Sequence, residues 1–189
     1  MDEPTVAILA GGNSRRMGTD KALLEYDGRR LLEHVAEAAD PFGPILVIGR
    51  QDPEAFDLPE ATFLPDKDPG QGPLGGLQTA LANADGPLLL LGCDMPLLDR
   101  QTIRWLVDAF ADSQAAGIVG RTDDRLQPLL GIYSPRIAPD VGALLDRGIR
   151  SLHRLIAHCD IEPHPLPDDL DDRATNGNTP AELPRLRRQ

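Results

Sequence analysis

The chain has 189 residues, 41% of them hydrophobic and 26% charged, and a formal net charge of −11. That length suits a single domain with a sizeable core, residues 1–189, and the acidic balance argues against a nucleic-acid partner. No apolar run reaches the length of a membrane span, and Met1-Asp2-Glu3-Pro4 lacks the basic start of a secretory leader, so a cytoplasmic protein with no membrane partner is expected. Thr5 to Ala10 reads as a buried strand, stopped by Gly11 and Gly12, which let the backbone turn tightly and bring N–H groups near a ligand. Arg15, Arg16 and Lys21 follow, and a helix-compatible run opens at Ala22-Leu23-Leu24. Free amides plus fixed cations at such a junction favour a polyanion, here expected to be a nucleoside triphosphate. Two better-known phosphate loops are excluded by counting: neither glycine has the spacing of Gly-x-x-x-x-Gly-Lys or of Gly-x-Gly-x-x-Gly.

Leu31, Leu32, Val35 and Ala38 recur at helical spacing within Arg30 to Ala39, and Ile45 to Ile48 reads as a second buried strand. Arg50, in the loop after it, either reaches a phosphate or lies in water. Ala61 to Leu64 is a short strand, followed by a loop rich in proline and glycine that leads into a helix over Leu74 to Ala84. Lys21 and Lys67 are the only lysines in a chain that otherwise uses arginine, which draws attention to both. Pro87 to Gly92 is a continuous apolar run, as for a central parallel strand. It delivers Asp94 to the strand's carboxyl end, where open α/β sheets hold their ligands. A carboxylate there must be exposed, hydrogen-bonded or bound to metal, because burial without a partner is costly. Cys93 beside it reads as a packing residue; it and Cys159 are too few for a disulfide framework or zinc site.

Asp99 should cap a helix running to Asp112, and Gly117 to Gly120 reads as another strand. Pro139 to Asp146 and Ser151 to Ala157 read as helices flanking Gly148. Arg147, Arg150 and Arg154 share a face if the helix continues through them. Asp160 to Pro165 is a short edge strand, Asp168 to Asp172 a solvated acidic loop, and Asn178 or Thr179 a cap for a last helix. His34, His153, His158 and His164 show no metal-ligand spacing.

The run Leu9-Ala10-Gly11-Gly12, Arg15-Arg16-Met17-Gly18, Asp20-Lys21 and Leu23-Leu24 resembles the signature of molybdenum cofactor guanylyltransferases, members of a larger nucleotidyltransferase family. Further stretches match it. These are Asp66 with Gly70-Gln71-Gly72-Pro73-Leu74-Gly75-Gly76, then Cys93-Asp94-Met95-Pro96, Gln127-Pro128-Leu129, and the closing Asn176-Gly177-Asn178-Thr179-Pro180. The resemblance implies an α/β fold: a three-layer, Rossmann-like, open and mostly parallel sheet with helices on both faces. It implies that Leu9, Ala10, Gly11, Gly12, Arg15, Lys21, Asp66, Gly75 and Asp94 bind the nucleotide. Asp94 would hold Mg2+, and Arg15, Lys21 and Asp94 would be catalytic. Gln127, Arg150, Asn176 and Asn178 would meet the second substrate or the metal, although Gln127 has the alternative of bonding backbone and Arg150 that of a solvated face.

The implied reaction transfers GMP from GTP to molybdenum-bearing molybdopterin, giving the guanine dinucleotide and pyrophosphate. Transient contact with molybdopterin-synthesis or molybdoenzyme-maturation proteins would accompany it. A cytidylyltransferase, or a relative acting on another phosphorylated acceptor, is the alternative. Ala10-Gly11-Gly12 and Asn178-Thr179-Pro180 favour GTP over CTP, since the cytidylyl group usually carries Ala-Ala-Gly and Asp-Thr-Pro at these places. A non-catalytic adaptor for the cofactor is a third reading, against which the retention of Asp94 beside Lys21 speaks.

Overall fold

The computed structural model describes residues 3–11, 20–123 and 125–174. Gly12, Arg15 and Arg16, and the closing stretch with Asn176, Asn178 and Thr179, lie outside the described residues.

Among the described residues seven strands form one sheet: β1 (Thr5–Leu9), β4 (Ile45–Ile48), β5 (Thr62–Leu64), β6 (Leu88–Gly92), β7 (Gly117–Thr122), β8 (Arg125–Tyr133) and β9 (Ile161–Pro165). Their order across the sheet is β5-β4-β1-β6-β8-β7-β9, with β8 antiparallel to both its neighbours and every other pairing parallel. A separate two-stranded hairpin joins β2 (Glu25–Tyr26) to β3 (Arg29–Arg30). Five α-helices lie among the described residues: α1 (Leu31–Ala39), α2 (Gly72–Leu81), α3 (Arg100–Ala111), α4 (Ala138–Asp146) and α5 (Leu152–Ile156).

The central strands are apolar along their whole length because both faces are covered. Side chains alternate across a strand, so Val6, Ile8, Leu89 and Leu91 enter one layer with Leu32 and Val35 of α1 and Ile103 and Leu106 of α3. Ala7, Leu88 and Leu90 enter the other with Leu74 and Leu77 of α2, Val141 of α4 and Leu155 of α5. This is the expected three-layer α/β architecture, and no described helix is long and apolar enough to cross a membrane.

Several local expectations change. Ala22-Leu23-Leu24 does not open an α-helix; Lys21–Leu23 is a single 3-10 turn, followed at once by the β2–β3 hairpin. That hairpin reverses at Asp27 (φ +49°) and Gly28 (φ +80°), two left-handed residues whose Asp-Gly sequence is itself a hairpin signal. Helix α2 begins at Gly72, where Pro73 suits a first turn. Arg147 and Arg150 fall outside the helices, because the chain turns at Gly148 (φ +74°) between α4 and α5, so the three arginines share no helical face. Gln127-Pro128-Leu129 lies inside β8. The β7–β8 register jumps there from Val119↔Gly131 to Gly120↔Gln127. Proline, with no N–H to offer a ladder, is tolerated at such a bulge. The buried Tyr133 hydroxyl donates to the freed Pro128 carbonyl at 2.7 Å. Asp99 caps α3 as expected, accepting from the Thr102 N–H at 2.9 Å.

Candidate active site

β1 has β4 on one side and β6 on the other, so the chain leaves the sheet in opposite directions from adjacent strands. A crevice opens at their carboxyl ends for that reason. The three ends are tied level: the Ala10 N–H donates to Ile48 O at 2.9 Å, and the Cys93 N–H to Leu9 O at 3.3 Å. Above them lies a cavity of about 620 Å³ whose wall includes Ala10, Gly11, Lys21, Asp66 and Asp94.

Two strand ends approach with almost no room between them. Gly49 has φ +89°, and a Cβ placed on it would stand 2.6 Å from the Gly11 Cα. Only glycine satisfies both the dihedral and the contact. This backbone seam is faced by Asp66, whose Oδ2 lies 3.3 Å from where a Cβ on Gly11 would sit. Burial pushes the Asp66 carboxyl above its ordinary range, since the charged form loses hydration there.

Lys21 and Asp94 line the same cavity, and the Lys21 ammonium donates to Asp94 Oδ2 at 2.8 Å. Lys21 comes from the 3-10 turn that Asp20 caps by accepting the Ala22 N–H at 3.2 Å. Asp94 comes from the turn after β6. Cys93 also touches the cavity, but burial first and Asp94 second push its thiol up to about 12, so it stays a neutral packing group.

The structure thus brings Leu9, Ala10, Gly11, Lys21, Asp66, Asp94 and Arg150 to one cavity. Gly75 is not on its wall: it packs against Gln71, whose Cβ would lie 2.5 Å from an added Cβ, and the next glycine, Gly76, faces the cavity instead. Gln127 lies off the wall as well, donating to Thr122 Oγ1 at 3.1 Å, while its neighbour Leu129 lines the cavity. Lys67 is exposed and stands apart from it. Arg150 reaches the Gln71 side chain at 3.0 Å and the Gly148 carbonyl at 3.2 Å.

Arg50 neither reaches into the cavity nor lies in water. It is 1% exposed, with Nε and NH2 on Asp52 at 2.9 and 2.5 Å and NH1 on both Asp20 oxygens at 3.0 and 2.8 Å. The residues that sequence reasoning passed over are Gly49 and Asp20. Asp20 stands directly before the suspected lysine, and Gly49 ends a strand, so each carried a positional signal.

Residues 6–162 match the family model described as the MobA-like NTP transferase domain. The chain belongs to the MobA-like NTP transferase family. A probable molybdenum cofactor guanylyltransferase of Carboxydothermus hydrogenoformans is 34% identical, over 98% of this chain and 96% of its own. The crystal structure of the molybdopterin-guanine dinucleotide biosynthesis protein A from Archaeoglobus fulgidus superposes with a TM-score of 0.80 at 26% identity, covering 96% of each chain. A Mycobacterium tuberculosis protein solved in complex with manganese has the same fold, with a TM-score of 0.69 at 20% identity over 97% of each chain. As a MobA-like transferase, the protein is a nucleotidyltransferase whose mostly parallel sheet and helices match the fold of its solved relatives.

Proposed function

We propose that this chain transfers the GMP group of GTP to molybdenum-bearing molybdopterin, forming the guanine dinucleotide cofactor and pyrophosphate. The observation that carries this reading is the Lys21–Asp94 pair on the wall of the same cavity as Gly11. The names borne by its relatives supply the acceptor and the base.

The attacking group is a phosphate monoester, whose second pKa near 6 leaves it largely ionised at neutral pH, so the protein need not provide a strong base. Its task is alignment and charge neutralisation. Lys21 meets phosphate oxygens, and the Gly11 backbone lets the nucleotide lie close to the end of β1. Gly12 and Arg15 follow Gly11 in the sequence and are assigned to the triphosphate with it. The half-buried Asp66 carboxyl, beside the Gly11–Gly49 seam, is assigned to accept from the ring N–H and amino group of guanine. Arg150, on the cavity wall, is assigned to the pterin phosphate, and Asn176 and Asn178 are assigned to the second substrate or the metal.

The donor set suits a magnesium ion. Mg2+ takes one or two protein carboxylates and completes its shell with phosphate and water, and Asp94 already carries a cationic group on Oδ2. Such an ion, when bound, neutralises charge on the reacting and departing phosphates. Residues 1–189 are read as one transferase domain of the cytosol, working with proteins that make or use molybdopterin.

Pyrophosphate release from GTP, Mg2+ and molybdopterin tests the reading directly. Turnover with GTP well above that with CTP supports it, whereas preference for CTP or absence of release with either refutes it.

A further inference from the structure

Arg50 is the one charged side chain that is fully buried among the described residues, and the mechanism above leaves it without a task. A guanidinium out of water is costly unless its hydrogen-bonding capacity is met, and here the fork is shared between two carboxylates, Asp52 and Asp20. Its carbon lies 4.7 Å over the Phe56 ring, which fixes the plane of the group. Burial lowers its pKa, but Asp52 and then Asp20 more than offset this, so it remains charged.

What Arg50 grips matters more than its burial. Asp20 Oδ1 receives both Arg50 NH1 and the Ala22 N–H. Asp20 therefore fixes the turn whose first residue is Lys21, the residue that reaches Asp94. Arg50 itself follows Gly49, the residue packed on Gly11. One guanidinium thus ties the β4 end, which shapes the slot, to the turn that carries the cavity's ammonium.

We propose that Arg50 is a positioning residue for Lys21, acting through Asp20 to hold the ammonium where the transferring phosphate needs it. The proposal rests on the reading of Lys21 as a phosphate-neutralising group. A lysine at position 50 would keep the charge but not the fork that spans two carboxylates.

A double-mutant cycle with the full-length chain tests it, using single-turnover transfer from radiolabelled GTP to molybdopterin, with folding checked by thermal melting. Arg50→Met is expected to lower the transfer rate about tenfold to hundredfold, the usual effect of a small misplacement of a catalytic group. The KM for GTP should stay within about threefold, and Arg50→Lys should be impaired nearly as much. In a Lys21→Ala background, Arg50→Met should cost less than about twofold, because the group it positions is gone. Equal losses in both backgrounds, full activity of Arg50→Met, or full rescue by Arg50→Lys would overturn the proposal. If Arg50→Met does not fold, the cycle is run with Asp20→Asn, which keeps an acceptor for the Ala22 N–H but gives up the ion pair; the same coupling is expected and its absence is equally decisive. If Lys21→Ala alone leaves transfer unchanged, the reading of Lys21 fails and the positioning proposal falls with it. A loss in Lys21→Ala with no coupling to Arg50 sinks the positioning proposal alone.

Discussion

Lys21 Nζ and Asp94 Oδ2 stand 2.8 Å apart although 73 positions separate the two residues in the chain. Their side chains are 26% and 16% exposed, so each serves as counter-ion to the other at the edge of solvent. On the proposed reading, a magnesium nucleotide entering the cavity would meet a carboxylate for its metal and an ammonium for its phosphates. Both groups are drawn to the ligand by charge opposite to their own, so the pair is expected to separate as the ligand binds.

Asp94→Asn keeps the shape of the side chain and removes its charge. Transfer should fall by at least about a thousandfold, the upper range for loss of one transition-state electrostatic contact, while the melting temperature changes little because a partly exposed ion pair contributes little stability. Metal-dependent GTP binding measured by calorimetry should be lost with it. Turnover within threefold of the unaltered protein would remove Asp94 from the mechanism.

Lys21→Ala should lower transfer about a hundredfold to a thousandfold. Its fold should be intact by circular dichroism, since Asp94 can then be hydrated from the cavity. An unaltered rate would show that the ammonium answers only to Asp94.

Gly49→Ala forces a Cβ to within 2.6 Å of the Gly11 backbone at a φ of +89°. The dihedral alone costs about 1–3 kcal/mol, and the contact adds to it. Urea denaturation should report a loss in that range or above, and GTP affinity should fall as the ends of β1 and β4 move apart. A fully stable Gly49→Ala protein with normal GTP affinity would show that the seam is slack.

Asp66 has its folded pKa raised by burial, and the sign of its effect on stability follows. Below the ordinary value of 3.8 the carboxyl is neutral in both folded and unfolded chains, and its burial is favourable by comparison with the charged form. That advantage is lost as pH rises from 3.8 through the raised folded value. Asp66→Asn should therefore raise the melting temperature at pH 7, with the gain shrinking as pH falls toward 4, and should weaken GTP binding at the same time. A substitution that leaves both quantities unchanged would place Asp66 outside the base site.

Tyr133→Phe removes the hydroxyl that holds the Pro128 carbonyl in the β8 bulge. A buried acceptor left without its donor costs about 1–3 kcal/mol. Chemical denaturation should show this loss, while transfer at saturating substrate stays within a few-fold because Tyr133 does not face the cavity. No change in stability would mean that another donor replaces the hydroxyl.

Much of the layering and many of the cavity residues were legible in order along the chain. The Val6–Ile8 and Leu88–Leu91 runs are apolar on both faces, which requires strands covered twice and hence the α/β layering. Gly11, Lys21, Asp66 and Asp94 each stand where a strand or short loop ends, and local composition marks such places. Nothing local, however, distinguishes Gly76 on the cavity wall from Gly75 against Gln71, since that choice depends on the rotation of α2 over the sheet. The same holds for Arg50, whose sequence neighbours suit a surface loop. Its guanidinium meets Asp20, thirty positions earlier in the chain, and the ring of Phe56. By itself the sequence determined which residue types stand at the carboxyl ends of the strands, because hydrophobic periodicity and chain-breaking glycines are short-range properties. Only the tertiary structure decided which of them meet, because an ion pair is set by distance in space, and the strand order that brings β1 beside β4 and β6 is a product of packing the whole sheet.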